Sequence, residues 1–259
     1  MKLEKIVTWL DRTLNVAAFD DVSNNGLQVE RDQGSGIRDQ VKVVAFAVDA
    51  SVKAVKAAAK AGAQLLVVHH GISWGGGIRR IEGGVYNVVR AAMDANLAIY
   101  ACHLPLDAHP VLGNNAQLAQ LLGLKRVKPA FNYHGNVIGL VGKCSNVRML
   151  ELAKRLGLEI SDSNIQAFKH SNIDLVGVCS GGAGEFAEEA KRLGCDLYLT
   201  GEASWGDVIA AENCGMEMIC AGHYETEVFG VRAVAEKMGR ALKLKVVDLT
   251  EKLRKGIKA

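Results

Sequence analysis

The sequence predicts an α/β protein built from two similar α/β units. Apolar runs of strand length alternate along the chain with stretches that place apolar residues at helical spacing. Of the 259 residues, 49% are hydrophobic and only 5% are aromatic, and 28 glycines against 3 prolines punctuate the apolar segments. That composition is typical of a globular protein with aliphatic cores. A third observation, the similarity of the chain to itself at a fixed shift, predicts the two units.

The first half of the chain predicts helices and strands in regular alternation. Apolar residues at helical spacing predict a helix over 1–15, and a β-branched run predicts a buried strand over 41–48. Ser51 is placed to cap a helix that ends at Gly62. The next predicted elements are a strand over 65–68, a helix over 85–95, a strand over 97–101 and a helix over 114–122.

The second half repeats this plan when the chain is shifted by 132 residues. The helix that ends at Gly62 then falls on one that ends at Gly194. The matched strand segments are 43–48 with 175–180, and 65–68 with 197–200. The few identities fit either an ancient duplication or ordinary βαβ patterning. Beyond the match, the sequence predicts a strand over 216–221, a helix over 227–238 and a strand over 242–247.

Charge and cysteine content point to no particular partner. The 31 basic and 28 acidic residues are interspersed and give a net charge of +3, so nucleic-acid binding is not expected. The six cysteines form no CxxC or zinc-ribbon spacing, which favours reduced thiols packed as small apolar groups. The chain has no apolar run long enough to cross a membrane, and its first residues alternate charged with apolar. We therefore expect a cytoplasmic protein with no membrane partner.

Histidines follow three of the predicted strands. His69 and His70 end one strand, His103 follows the next, and His223 follows a third. In α/β sheets, ligands bind beyond the carboxyl ends of the strands, so we expect these imidazoles to gather at one site. Because successive side chains on a strand point to opposite faces, His69 and His70 suit two neighbouring ions better than one.

Carboxylates accompany two of these histidines. Asp107 lies four residues after His103, and Glu227 lies four residues after His223, which places the latter pair on one face of a helix. Imidazole and carboxylate ligands suit zinc, manganese, iron or nickel, and a carboxylate can bridge two ions. Structural roles are the alternatives. A histidine can form only local hydrogen bonds, Asp107 can cap the following helix, and Glu227 can stabilise a helix N-terminus.

Four blocks of the sequence resemble the type 2 GTP cyclohydrolase homolog family, also called Nif-three-like. They occur in the order and at about the separations found in that family, and they are Asn25–Val29, Val67–Gly71, His103–Ala116 and Gly222–Glu227. The resemblance covers residues 5–250, with no signature over 128–190. After the paired histidines, where relatives often carry an aromatic residue and a lysine or glycine, this chain reads Gly71-Ile-Ser-Trp-Gly-Gly-Gly77.

The resemblance implies two α/β domains, the second inserted into the first. Residues 1–126 with 215–259 would form a metal-binding domain, and residues 127–214 would form the inserted domain. It further implies two divalent ions per chain in the cleft between the domains, and assembly as a toroidal homohexamer. The implied ligands are His69, Asp107 and Glu227 at one ion and His70, His223 and Glu227 at the other, with Glu227 as the bridge.

Two neighbouring ions would activate water, which predicts a metal-dependent hydrolase of a small molecule or nucleotide. The family name suggests GTP, but the sequence has no GxxxxGK[ST] loop, and only Arg79, Arg80 and Lys53 stand out as candidate phosphate contacts. The alternative is a non-enzymatic metal-binding scaffold or regulatory protein assembled as a ring.

His103 is the candidate catalytic residue, as a carrier of protons. Its alternatives are a ligand role or support of the ligand loop, and His109 is the weaker candidate for proton transfer. Glu202 lines the cleft, bonds to a ligand histidine or has only a surface role. Trp74 and Trp205 follow their strand ends in parallel, and each either stacks on a flat ligand or packs its loop against the protein.

Overall fold

The structure is a computed structural model that describes residues 1–32, 40–148, 151, 154–155, 165–166 and 172–254. The chain divides into two compact units, Met1–Leu106 with Val231–Ala259, and Asp107–Gly230. Each unit has its own sheet, with helices between its parallel strands, so the predicted α/β class with two units is confirmed. The predicted inserted domain, 127–214, lies within the second compact unit.

The elements of the described residues are numbered here in chain order. The helices are α1 Leu3–Leu14, α2 Val52–Lys60, α3 Gly83–Asp94, α4 Leu104–Ala108, α5 Asn114–Leu122, α6 Ala187–Arg192, α7 Trp205–Cys214, α8 His223–Leu242 and α9 Thr250–Arg254. The strands are β1 Gly26–Val29, β2 Val43–Asp49, β3 Leu65–His70, β4 Ala98–Ala101, β5 Lys125–Tyr133, β6 Asn136–Arg148, β7 Ile165–Gln166, β8 Asn172–Cys179, β9 Leu197–Thr200, β10 Glu217–Cys220 and β11 Lys245–Asp248. None of the described helices has the length and apolarity that crossing a membrane requires.

The first unit is built on a five-stranded sheet in the order β1-β4-β3-β2-β11. Strands β4, β3, β2 and β11 are parallel, and β1 pairs antiparallel with β4 at one edge. The central strands are buried almost throughout, as expected for a parallel sheet, and α2 and α3 pack apolar residues against them. Because β3 and β4 are parallel neighbours, His70 and the residues that follow Ala101 emerge at the same edge of the sheet.

The capping predicted for α2 is confirmed. The Ser51 hydroxyl accepts a hydrogen bond from the Ala54 N–H at 3.1 Å, which satisfies one of the amides that the first turn leaves without a partner in the helix. At the other end, Gly62 has φ +73°, a conformation that glycine adopts at little cost.

The second unit is built on a six-stranded sheet in the order β5-β6-β8-β9-β10-β7. Strands β8, β9 and β10 are parallel, and β5 and β6 form a long antiparallel hairpin that the sequence analysis did not predict. Helix α5 packs Leu118 and Leu122 into the apolar core of this sheet. The carboxyl ends of β8, β9 and β10 lead into Ser180, Gly201 and Ala221, and therefore towards His223.

The βαβ segments matched at a shift of 132 residues share their strand register. Val44 pairs with Leu65 in the first unit, and Val176 pairs with Leu197 in the second, so both partners are shifted by the same amount. Their side-chain hydrogen bonds match as well. Oε1 of Gln64 accepts from the N–H groups of residues 42 and 43, and Oδ2 of Asp196 accepts from those of residues 174 and 175. Ordinary βαβ patterning does not require this shared bond, so the structure favours a duplication.

The end of the chain differs in its boundaries from the sequence prediction. Helix α8 begins at His223 and continues to Leu242, whereas the pattern predicted a helix over 227–238 and a strand from residue 242. Lys243, with φ +53°, lies between the helix and β11, which starts at Lys245. Leu242 and Leu244 alternate with lysines and so resemble the start of a strand, but the helix retains Leu242.

Candidate metal centre

Three imidazoles of the first unit lie together at the carboxyl ends of β3 and β4. The ring centroids of His69 and His70 are 4.6 Å apart, and the ring of His103 is 5.1 and 5.7 Å from them. One ring nitrogen of each histidine lies within 4.8 Å of the others. His69 is fully buried, whereas His70 and His103 are partly exposed. The convergence of these three residues, expected from the strand ends, is present in the structure.

Each of these imidazoles has its Nδ1 atom at hydrogen-bond distance from an oxygen acceptor. The pairs are His69 with the Cys102 carbonyl at 3.0 Å, His70 with Asp49 at 2.9 Å and His103 with Asp21 at 2.9 Å. Because carbonyl and carboxylate oxygens accept, Nδ1 carries the proton and donates it. In a neutral ring, Nε2 then carries the lone pair, which is the tautomer that metal-ligating histidines use when their other nitrogen bonds to a backbone or carboxylate oxygen.

The carboxylate that orients His103 is almost completely buried. The side chain of Asp21 is 1% exposed. Besides His103, it accepts hydrogen bonds from the N–H groups of Ser23 and Leu104 and from the side-chain amide of Asn25, at 2.8 to 3.0 Å. Burial opposes ionisation, but the hydrogen bonds from His103, Asn25 and Ser23 outweigh it and hold the pKa of Asp21 below its ordinary value. Asp21 therefore remains a carboxylate that fixes the ring of His103.

The Asn25–Val29 block supports both histidine-bearing loops. Oδ1 of Asn25 accepts from the backbone N–H of His103 at 2.7 Å. Oε1 of Gln28 accepts from the N–H of Ile72 at 2.7 Å, just after the paired histidines. A Cβ at Gly71 would overlap the Gln28 amide, so glycine permits this close approach. Sequence reasoning noted the block only through the family resemblance and did not identify Asp21 or Asp49.

The second unit brings together a histidine and two buried carboxylates. Asp107 and Glu227 are 6% and 2% exposed, and a carboxylate oxygen of one lies within 4.8 Å of one of the other. Nε2 of His223 is 3.1 Å from Oε1 of Glu227. The prediction that His223 and Glu227 share one face of a helix is confirmed, since they are four residues apart at the start of α8.

Asp107 is held by side chains from two other segments of the second unit. Its Oδ1 accepts from the Asn114 amide at 2.8 Å and from the Ser180 hydroxyl at 2.9 Å. Asp107 lies inside α4, and α5 begins after Gly113 without a side-chain cap. The N-cap position of α5 is therefore Gly113 and not Asp107.

His223 lies between two carboxylates. Its Nδ1 is 2.9 Å from Oε1 of Glu202, which confirms the alternative that Glu202 bonds to a ligand-candidate histidine. The pKa of His223 is raised to about 9, first by the hydrogen bond with Glu227 and also by Glu202, against the effect of burial. The two carboxylates thus give this site a strong attraction for positive charge.

Two glycines allow backbone to approach these side chains closely. At Gly181, which has φ +70°, a Cβ would lie 2.5 Å from Oε1 of Glu227 and 3.4 Å from Nε2 of His223. At Gly201, a Cβ would lie 2.7 Å from Oγ1 of Thr226. The sequence analysis did not select either glycine as a site residue. The signal that could have found Gly181 is the pair of glycines directly after a buried strand.

Comparison with known proteins assigns the family. The DUF34/NIF3 family (NGG1p interacting factor 3) matches residues 1–252. The chain belongs to the DUF34/NIF3 family. This confirms the resemblance seen in the sequence.

Curated relatives of this DUF34/NIF3 chain carry the name GTP cyclohydrolase 1 type 2 homolog. A relative from Pyrococcus horikoshii is 40% identical over 90% of this chain and 92% of its own length. A relative from Deinococcus radiodurans is 41% identical over 91% of this chain and 88% of its own length. Solved structures agree. A protein called ybgI, titled as of unknown function, has a TM-score of 0.83 and 33% identity, covering 96% of this chain and 98% of its own. A Thermus thermophilus protein has a TM-score of 0.83 and 31% identity over the same shares.

The donor set of the DUF34/NIF3 chain fits divalent transition metals. The candidate ligands are imidazole nitrogens and carboxylate oxygens, with no sulfur among them, and such mixed sets suit zinc, manganese, iron and nickel. The acceptors at Nδ1 provide the outer support that metal-binding histidines usually have. His69, His70, Asp107, His223 and Glu227 can therefore hold metal ions.

Several other candidates in the DUF34/NIF3 sequence have local structural contacts. Nδ1 of His109 accepts from the N–H groups of Val111 and Leu112, and so supports the loop before α5. Nζ of Lys53 donates to the carbonyl of Leu253 at 2.9 Å. Arg80 forms a 3.9 Å ion pair with Glu82 in which both side chains are exposed, and solvent weakens such a pair.

Proposed function

We propose that this DUF34/NIF3 chain binds two divalent ions and hydrolyses a small molecule or nucleotide. One ion would be held by His69, Asp107 and Glu227, and the other by His70, His223 and Glu227, so that Glu227 bridges them. The observation that carries the proposal is the orientation of the imidazoles. His69, His70 and His223 each have Nδ1 against an oxygen acceptor, which makes Nε2 the proposed ligand atom. At His223 the ion would replace the proton that Nε2 shares with Glu227.

The path of the chain supports a centre that uses ligands from both compact units. The chain passes from the first unit to the second inside α4, between Leu106 and Asp107, and returns inside α8, between Gly230 and Val231. Asp107 is thus the first residue after one crossing, and Glu227 lies one helical turn before the other. The proposal further includes domain boundaries at 126/127 and 214/215, a cleft between the two domains, assembly as a toroidal homohexamer and a cytoplasmic location.

When bound, two such ions lower the pKa of a water ligand and polarise the substrate. The residues of the chain provide the rest of the chemistry. Nε2 of His69, His70 and His223 would bind the ions, and Asp107 and Glu227 would supply the negative charge that balances them. His103 accepts or returns a proton at Nε2, because Asp21 holds its Nδ1–H. The curated relatives' name, GTP cyclohydrolase 1 type 2 homolog, supports hydrolysis as the reaction class.

Metal analysis of the purified protein tests the proposal. Elemental analysis by mass spectrometry should find close to two divalent transition ions per chain. His70→Ala should lose at least one of them, because its Nε2 ligand is removed. The matched control is His134→Asn, which replaces an exposed histidine at the β5–β6 turn and should retain both ions. A wild-type protein that binds no metal after gentle purification and reloading would contradict the proposal.

Turnover separates the enzyme from the non-enzymatic alternative. The metal-loaded protein is assayed against nucleotides, phosphate esters and amides, with the chelator-treated protein as control. Metal-dependent hydrolysis that His70→Ala abolishes would support the enzyme. Two bound ions with no turnover would favour the metal-binding scaffold or regulatory protein.

A further inference from the structure

The indole of Trp74 is exposed yet anchored next to the imidazoles of the first unit. The residue is 39% exposed, and its Nε1 donates to the carbonyl of Gly71 at 3.1 Å. This is the only hydrogen bond that an indole N–H can donate. The ring is therefore oriented by the backbone that directly follows the paired histidines.

The backbone around Trp74 is held by a neighbouring segment of the same unit. Trp74 and Ser23 form an antiparallel bridge. The N–H of Asn24 donates to the carbonyl of Ser73 at 3.0 Å, and the N–H of Gly75 donates to that of Val22 at 2.6 Å. These bonds fix the loop before any ligand arrives, so binding on the indole costs little ordering of the protein.

Two imidazole rings lie next to the partly exposed indole. The ring of His103 lies 5.2 Å away at an interplanar angle of 76°, and the ring of His70 lies 6.0 Å away at 41°. The contact with His103 is edge-on and the contact with His70 is tilted, so neither imidazole stacks on the indole. After Trp74 the chain continues with three glycines, and a Cβ at Gly75 or Gly77 would meet nothing within 4 Å. The loop thus exposes an aromatic ring beside two imidazoles, with three glycines following it in the chain.

We propose that Trp74 is a stacking platform for a planar heteroaromatic ring of the substrate. This deepens the proposed function and rests on it, because the platform would hold the ring next to His70 and His103. Stacking on an aromatic side chain is worth about 1–3 kcal/mol per base, which is roughly a 5- to 150-fold effect on affinity. A saturated ring of the same size forms a poorer contact because it is not flat.

The first test compares planar and puckered probes in a protein whose only tryptophan is Trp74. Trp9→Phe and Trp205→Phe remove the other two tryptophans. The metal-loaded protein is titrated with adenosine, uridine and 5,6-dihydrouridine, the last two differing in the planarity of the base. We expect saturable quenching by adenosine and uridine, and at least fivefold weaker binding of 5,6-dihydrouridine. Equal binding of uridine and 5,6-dihydrouridine, or no quenching by any probe, would overturn the proposal.

The second test uses variants in the otherwise natural chain, with adenosine binding measured by calorimetry. Trp74→Leu should weaken binding by about 5- to 100-fold, whereas Trp74→Phe, which keeps a flat ring, should weaken it by less than about threefold. The control is Trp205→Leu, which removes the 77%-exposed first residue of α7 in the second unit and should change nothing. Equal affinities of Trp74→Leu and the natural chain would overturn the proposal.

Metal content distinguishes failure of this inference from failure of the proposed function. Unchanged metal in Trp74→Leu together with weaker adenosine binding supports the platform. If Trp74→Leu loses metal, the comparison of uridine with 5,6-dihydrouridine decides: selective binding of uridine supports the platform, and equal binding overturns it. A natural chain that binds no metal, together with planar-selective quenching in the protein whose only tryptophan is Trp74, contradicts the proposed dinuclear centre and leaves the ring platform standing.

Discussion

Replacing Gly181 by alanine should displace the proposed bridging carboxylate. The new Cβ would lie 2.5 Å from Oε1 of Glu227, whereas real Cβ contacts begin near 3.0 Å and are usually beyond 3.4 Å. Glu227 or the loop must therefore shift by about 0.5 to 0.9 Å, several times the tolerance of about 0.2 Å for metal–ligand distances. Since Glu227 is 2% exposed, the side chain has little room to adjust. We expect metal affinity to fall at least 10- to 100-fold, the usual effect of disturbing the support of a metal ligand.

Gly194→Ala provides the matched control for Gly181→Ala. Gly194 has φ +81° in the same unit, and a Cβ there would meet nothing within 4 Å. Both variants incur about 1–2 kcal/mol for a left-handed alanine, so this strain should lower the midpoint of thermal unfolding in both. Gly181→Ala should lose more, because of its contact with Glu227 and the metal that it no longer binds. Only Gly181→Ala should lose metal in a competition with a chromophoric chelator. If the two variants bind zinc equally tightly, Glu227 is not a ligand in the geometry described here.

Three further predictions concern the support of the site. Asp21→Asn should lower the free energy of unfolding by about 3 kcal/mol, because the buried donors around it lose a charged acceptor. The control is Asp20→Asn at an exposed position, which should lower it by less than about 1 kcal/mol. Urea titrations measure both values. The pKa of Asp21 in the folded chain is held below 3.8. The stability that its carboxylate contributes is therefore present above pH 3.8 and is lost as the pH falls through the folded-state pKa. Between about pH 5 and pH 3 the natural chain should therefore lose more stability than Asp21→Asn, and equal losses would contradict this reasoning. Glu202→Gln should weaken zinc binding about 10- to 100-fold through His223, which chelator competition would measure, and an unchanged affinity would exclude this support. Removal of metal with EDTA should cost about 2.7 kcal/mol at a metal concentration of 100 Kd, seen as a lower unfolding midpoint that zinc restores.

The sequence predicts the parallel strands of both units well, because a strand buried on both faces is a continuous apolar run. The β5–β6 hairpin was missed for the opposite reason. Most of β5 is exposed, with five exposed residues in succession, so its side chains show no alternation of apolar and polar that would mark a strand. Helix α8 was predicted too short because its first turn carries polar site residues in place of apolar ones.

The candidate site was predictable where it depends on strand ends and not where it depends on distant partners. His69, His70 and His103 follow directly from the ends of β3 and β4. Asp21 lies 82 residues before His103 in the chain, and no periodicity relates the two. Glu202 was reached only because the 132-residue shift aligned it with His70. Hydrogen-bond partners of this kind depend on how remote segments pack, which a single sequence does not specify.

The most direct test of the central claim is a crystal structure of the metal-loaded protein with anomalous difference maps collected at the absorption edge of the bound metal. The proposal predicts two anomalous peaks per chain, one beside His69 and Asp107 and the other beside His70 and His223, with a carboxylate oxygen of Glu227 bound at each. A single peak, or two peaks of which neither is bound by Glu227, would contradict the dinuclear centre.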